Sequence, residues 1–205
     1  MNKIIKNALI LMAITLVAGL ALGFVYDITK DPIAEQDRKT KEEAYASVFD
    51  GAVSFETLES FSGEEAASVL ENAGLGAQRI DEVLLAKDEN GKTMGVVMNV
   101  TTTEGYGGDI SFSMGVQNDG TVNGIKILSI GETAGLGMRA TEEEFYGQFS
   151  NKKVDSFRYT KEGAQSENEI DAITGATVTT NAMTNGVNAG LAYFKSLAEG
   201  GVISE

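Results

Sequence analysis

The chain has 205 residues, room for one compact domain plus an anchoring segment, and 42% apolar residues with a single proline exclude a disordered tail or a proline-rich linker. Thirty acidic against sixteen basic side chains leave a formal charge of -14, a field that repels phosphate backbones and excludes nucleic acid as a partner. Having neither Cys nor His, the chain offers no disulfide, thiolate nucleophile, thiolate-held cluster, Ser-His-Asp triad, imidazole-bound zinc or His-ligated haem, so redox chemistry here requires an organic cofactor.

Residues 1–7 carry Lys3 and Lys6, and the run ALILMAITLVAGLALGFVY from Ala8 to Tyr26 has no charge. Roughly 19 residues at about 1.5 Å each nearly match the hydrocarbon thickness of a bilayer. Asp27, Lys30, Asp31 and Glu35 follow with mixed sign. The positive-inside rule therefore predicts a single transmembrane helix over 8–26 in the cytoplasmic membrane, N-terminus cytoplasmic and the remainder extracytoplasmic. A cleaved signal peptide is the alternative, against which the length of the run counts. Both readings export the domain, and the absence of a polar face argues against a buried helix of a soluble protein.

After Pro32, AEQDRKTKEEAYASVF predicts a helix with apolar Tyr45, Val48 and Phe49 near its end, and the whole stretch over 27–62 reads as a linker helix and connection. GEEAASVLENAGLG, residues 63 to 76, predicts a short helix with apolar Ala67, Val69 and Leu70 and a stop at Gly74. IDEVLLAK and TMGVVMNVTTT flank Asn90-Gly91, and DISFSMGVQ and TVNGIKILSI flank Asp119-Gly120, which predicts two hairpins. These acidic turns lack the alternating ligands of a calcium loop. TEEEFYGQF predicts a short helix capped by Thr141, DSFRYT a strand, and the last element a helix starting near Thr177 to Thr180, with Met183, Val187, Leu191 and Phe194 at helical spacing. The expected fold is α+β: a transmembrane helix, then an extracytoplasmic domain over 63–205 with a twisted antiparallel sheet packed by helices.

Chemistry concentrates in Asp171-Ala-Ile-Thr-Gly-Ala-Thr177, followed by Val178. Gly175 and Ala176 are small enough to admit a phosphate, and the free amides and positive end of the following helix attract its charge. The hydroxyls of Thr174, Thr177, Thr179 and Thr180 supply donors and acceptors. Taken from these residues alone, ordinary capping threonines account for the segment more simply. Two further segments are rich in glycine. Gly131-Glu-Thr-Ala-Gly-Leu-Gly137 reads by itself as a flexible strand-to-helix loop. Glu104-Gly-Tyr-Gly-Gly-Asp-Ile110 reads as a strand connection with a partly buried tyrosine. Arg139 is a candidate phosphate partner, although a solvated surface arginine is the default.

Asp-x-x-Thr-Gly-Ala-Thr resembles the flavinylation motif of the FMN-binding domain family, found in the G subunit of the Rnf ion-translocating electron-transport complex and the C subunit of the sodium-pumping NADH:quinone reductase. The resemblance implies FMN joined through its phosphate to the Thr177 hydroxyl, with Asp171, Thr174, Gly175, Ala176 and Thr177 forming the flavinylation motif. It also implies a flavin transferase that uses FAD as donor. The Gly131–Gly137 loop resembles the family signature Glu-Thr-Pro-Gly-Leu-Gly and departs from it at Ala134, where a proline would fix φ. It implies that Glu132, Thr133, Gly135, Leu136 and Gly137 line the flavin, together with Thr174, Gly175, Ala176 and Val178. The Tyr106 segment resembles the family's Gly-Tyr-x-Gly stretch, implying that Tyr106 packs on the isoalloxazine. No catalytic residue and no metal ligand is expected.

The ordered motifs cover nearly the whole chain, and its short length favours the G-subunit branch. That branch implies an electron-carrier subunit in a complex moving electrons from ferredoxin to NAD+ while driving Na+ or H+ across the membrane, with the other Rnf membrane subunits as partners. The alternatives are the C-subunit branch, the flavin domain of another extracytoplasmic reductase, and a redox-inert assembly module. NAD itself has no site here, since no strand leads into Gly-x-Gly-x-x-Gly.

Overall fold

A computed structural model describes residues 2–203. The charge-free run continues into the charged segment without a break, so that one helix, α1, spans Lys3–Val48. Pro32 lies inside it, where separate elements were expected: a proline removes one backbone hydrogen bond, and the Glu, Lys, Gln and Ala beyond it favour continuation. The apolar part of α1 is long and apolar enough to cross a membrane, with none of it buried. Residues up to Thr40 form one unit and those from Lys41 a second.

The second unit is built on a five-stranded sheet of β1 (Ser54–Thr57), β2 (Gln78–Lys87), β3 (Thr93–Thr102), β4 (Ile110–Gln117) and β5 (Val122–Ser129), paired in that order. Every pairing is antiparallel, and two of the four, β2 with β3 and β4 with β5, are the predicted hairpins. β1 was not foreseen. Its four residues carry no alternation, and only pairing with Leu84–Lys87 of β2 makes them a strand. On one face of the sheet, Tyr45, Val48 and Phe49 pack with Leu84, Ala86 and Val97. The folded unit thus takes in residues assigned to the 27–62 linker.

The other face is covered by α2 (Gly63–Asn72) and α4 (Thr177–Glu199). Ser62 caps α2 by accepting from the Glu65 amide at 3.4 Å, and it is Ala66 with Leu70, not Ala67, that reaches the core. Met183, Val187, Leu191 and Phe194 of α4 share one buried core with Met98, Phe112 and Met114 of the sheet, as their spacing predicts. Close approach is built in. A Cβ at Gly186 lies 2.8 Å from Phe112 Cε1, and one at Gly190 lies 2.6 Å from Met114 Sδ.

Between β5 and α4 the chain departs most from expectation. The helix foreseen from Thr141 is a 3-10 turn over Gly137–Thr141, a four-residue α3 (Glu143–Tyr146) and a second 3-10 turn over Gly147–Phe149. Thr141 does not cap α3, because its hydroxyl donates back to the Met138 carbonyl at 2.8 Å. The strand expected in DSFRYT is β6 (Arg158–Thr160), and it pairs in parallel with β7 (Glu169–Asp171).

Candidate functional site

The chain turns from β7 into α4 through Ala172–Ala176. Gly175 adopts φ of 80° there, a left-handed conformation that glycine alone takes without steric cost. Thr180 fastens the turn: its hydroxyl accepts from the Ile173 amide at 3.1 Å and donates to the Ala176 carbonyl at 2.9 Å. α4 starts after Ala176 with no side-chain cap, which leaves first-turn amides and the positive helix end available to an anion. The Thr177 hydroxyl is half-buried and, among the described residues, bonded to nothing.

A cleft of about 540 Å³ opens beside this helix start, walled by Thr177, Val178, Thr133, Leu136 and Tyr106. Tyr106 is 76% exposed, Val178 49% and Leu136 44%. In the unit from Lys41 onward, the other large apolar side chains so exposed among the described residues are Val53 and Val202. Three of five converging on one cleft is the pattern of a site for a flat apolar ligand.

Glu132 holds the walls in place. Its Oε1 accepts from the Gly107 amide at 3.0 Å, and its Oε2 accepts from the Thr179 hydroxyl at 3.0 Å. The three segments singled out in the sequence therefore meet at one carboxylate. Glu104 braces the Tyr106 loop from the other side, accepting from Asn185 Nδ2 at 2.8 Å on α4 and from Gln78 Nε2 at 2.6 Å on β2.

Other motif residues lie elsewhere. Asp171 and Thr174 line a neighbouring cavity of about 450 Å³ with Arg139 and Gln148. The Asp171 carboxylate accepts from the Ala164 amide at 2.6 Å, and its own amide donates to Gln148 Oε1 at 2.6 Å. Arg139 is half-buried and pairs with Glu142 at 3.2 Å and Glu144 at 3.6 Å, and it does not line the Thr177 cleft. Gly135, with φ of 74°, makes a turn in which the Thr133 carbonyl accepts from the amides of Leu136 and Met138. Sequence reasoning named Thr179 only as one donor among several and missed the Gly107 amide, Glu104 and Asn185. Contacts spanning 47 and 81 residues have no local signal.

These residues fit a flavin mononucleotide. The uncapped start of α4 suits a phosphate and the exposed apolar walls suit the ring. The lining contains no Lys or Arg, so side-chain charge gives a free anion little hold there.

Comparison with known proteins agrees. Residues 105–192 match the FMN-binding domain family, and residues 1–48 match the RnfG N-terminal region. The chain is 32% identical over 202 residues, 96% of its length and 94% of the relative's, to the G subunit of the Na(+)-translocating ferredoxin:NAD(+) oxidoreductase complex of Acetobacterium woodii. It is 40% identical over 102 residues, 50% of this chain and 54% of the relative, to the G subunit of the proton-translocating ferredoxin:NAD(+) oxidoreductase complex of Clostridium ljungdahlii. The crystal structure of Shewanella oneidensis NqrC is similar in fold, with a TM-score of 0.51 at 23% identity over 58% of this chain and 61% of that one. Identity of nearly a third along almost the entire length, with both family segments in order, makes this chain a member of the family of Rnf complex G subunits, an FMN-binding domain behind an apolar N-terminal helix.

Proposed function

We propose that this chain is the electron-carrying subunit of a membrane-bound, ion-translocating ferredoxin:NAD+ oxidoreductase complex, with FMN esterified through its phosphate to Thr177. One observation carries the attachment. Among the threonines of the first turns of α4, Thr179 and Thr180 are buried with their hydroxyls committed, whereas the Thr177 hydroxyl is uncommitted and faces the cleft. A threonine hydroxyl is a weak nucleophile, so a separate flavin transferase makes the ester from FAD, with AMP leaving.

Each wall residue then has a task. Thr177 holds the phosphate, and the first-turn amides of α4 meet its charge. Tyr106, Leu136 and Val178 flank the ring and keep water from it. The bound flavin supplies reversible electron uptake and release, chemistry that a chain without Cys or His lacks. α1 anchors the chain in the cytoplasmic membrane, Lys3 and Lys6 keeping the N-terminus inside and the folded unit extracytoplasmic. Electrons arrive from and leave to neighbouring membrane subunits. Kinship with the sodium-pumping quinone reductase stands as a likeness of fold, and the full-length relationship favours the Rnf role.

The deciding measurement is mass spectrometry of the tryptic peptide spanning 162–195, from full-length chain made together with a flavin transferase. An adduct of FMN mass on Thr177 is expected. An intact mass equal to the bare polypeptide overturns the attachment, and protease access to the folded unit only from the cytosolic side overturns the orientation.

A further inference from the structure

Among the described residues, Glu132 is the one buried carboxylate, at 8% exposure, and no Lys or Arg pairs with it. Burying a charge without an ion partner is costly unless fixed dipoles compensate. Here they do: the Gly107 amide serves one oxygen, the Thr179 hydroxyl serves the other, and Thr179 stands in the first turn of α4, at the positive end of the helix. The surrounding backbone is shaped to admit the group. A Cβ at Gly137 lies 2.5 Å from Glu132 Oε2, and one at Gly105 lies 2.8 Å from Oε1, so side chains at either position collide with the carboxylate. Glu132 also lines the cleft that Thr177 borders. Simple packing demands none of this, because an apolar residue fills such a space without the desolvation cost.

We propose that Glu132 is a positioning residue with two separable effects: its paired oxygens tie the Tyr106 loop to the start of α4, and its charge lowers the reduction potential of a flavin held in the cleft. The second effect rests on the cofactor reading above. When a flavin there takes one electron from a reduced neighbouring subunit, the negative charge it gains is opposed by a carboxylate in a poorly screened wall. The electron is passed on more readily for the same reason.

Glu132→Gln separates the two effects. Its Oε1 still accepts from the Gly107 amide and its Nε2 donates to the Thr179 oxygen, so the tie survives while the charge is lost. Glu132→Ala removes both. In full-length chain carrying flavin, spectroelectrochemical titration should show the potential of E132Q raised by about a tenfold change in the reduction equilibrium, about 59 mV for a one-electron step. An unchanged or lowered potential overturns the charge effect. A second arm needs no flavin. In a Thr177→Val background, hydrogen exchange of the segment from Tyr106 to Asp109 should be about tenfold faster with E132A than with Glu132, and near the parent rate with E132Q. Equal rates in all three overturn the tie. Should E132A fail to fold, Thr179→Val cuts the same link from the other side and is read in the same way. A wild-type chain that never carries flavin refutes the cofactor reading, and with it the charge effect, while the exchange rates still decide the tie.

Discussion

The Thr179 hydroxyl donates to Glu132 Oε2 over 3.0 Å, joining a helix residue to a loop residue 47 positions earlier. Both side chains are buried, so loss of the donor leaves one carboxylate oxygen poorly compensated. Thr179→Val keeps the volume and removes the donor. A loss of about 1–3 kcal/mol in unfolding free energy is expected, read by denaturant titration, with Thr179→Ser restoring most of it.

Thr177→Val should leave the fold intact, since its hydroxyl bonds to nothing among the described residues. Stability should stay within about 0.5 kcal/mol. Covalent flavin, followed by in-gel fluorescence and intact mass, should vanish. The buried hydroxyls of Thr179 and Thr180 are not expected to take over.

Two glycines of one loop should respond differently to alanine. At Gly137 the added Cβ falls 2.5 Å from both Glu132 Oε2 and Thr179 Oγ1, a clash costing about 1–3 kcal/mol together with the flavin yield. Gly135 has open space at its Cβ but φ of 74°, so Gly135→Ala costs only about 1 kcal/mol from the left-handed backbone. Thermal melts of the two variants rank them.

Tyr106 is 76% exposed, so Tyr106→Ala should change stability by less than about 0.5 kcal/mol. A flavin stacked on Tyr106 in the cleft would lose that wall and should fluoresce more strongly. Fluorescence equal to wild type places the ring elsewhere in the cleft.

Alkaline pH should loosen the packing of the α1 end on the sheet. Burial, reinforced by the Glu82 carboxylate, pushes the Tyr45 hydroxyl up to about 12 from an ordinary 10. It also accepts from Asn99 at 2.7 Å and donates to Glu82, which Lys41 pairs at 3.0 Å. A folded-state pKa raised in this way stabilises fully below pH 10, and the contribution drains away as pH rises through 12. A rise from 10 to about 12 corresponds to at most about 2.7 kcal/mol. Tyr45→Phe should flatten this part of the stability profile measured by urea unfolding.

Local patterns announced much of the fold. Asn90-Gly91 and Asp119-Gly120 marked hairpins that the register confirms, and the spacing from Met183 to Phe194 marked the buried face of α4. Elements without a pattern of their own escaped. β1 is a strand only because β2 lies beside it, and the Gly137–Phe149 stretch breaks into short turns because its hydroxyls and amides find partners nearer than a regular helix offers.

By itself the sequence determined the residue types: an apolar N-terminal run, a domain without Cys or His, and a threonine motif opening a helix. Periodicity and turn chemistry act over a few residues and are therefore written locally. Which threonine at the start of α4 keeps a free hydroxyl, and which glutamate turns inward to join two loops to a helix, was decided only in the tertiary structure. Those choices depend on the groups facing one another across a folded interior, where buried polar atoms must find partners regardless of their distance along the chain.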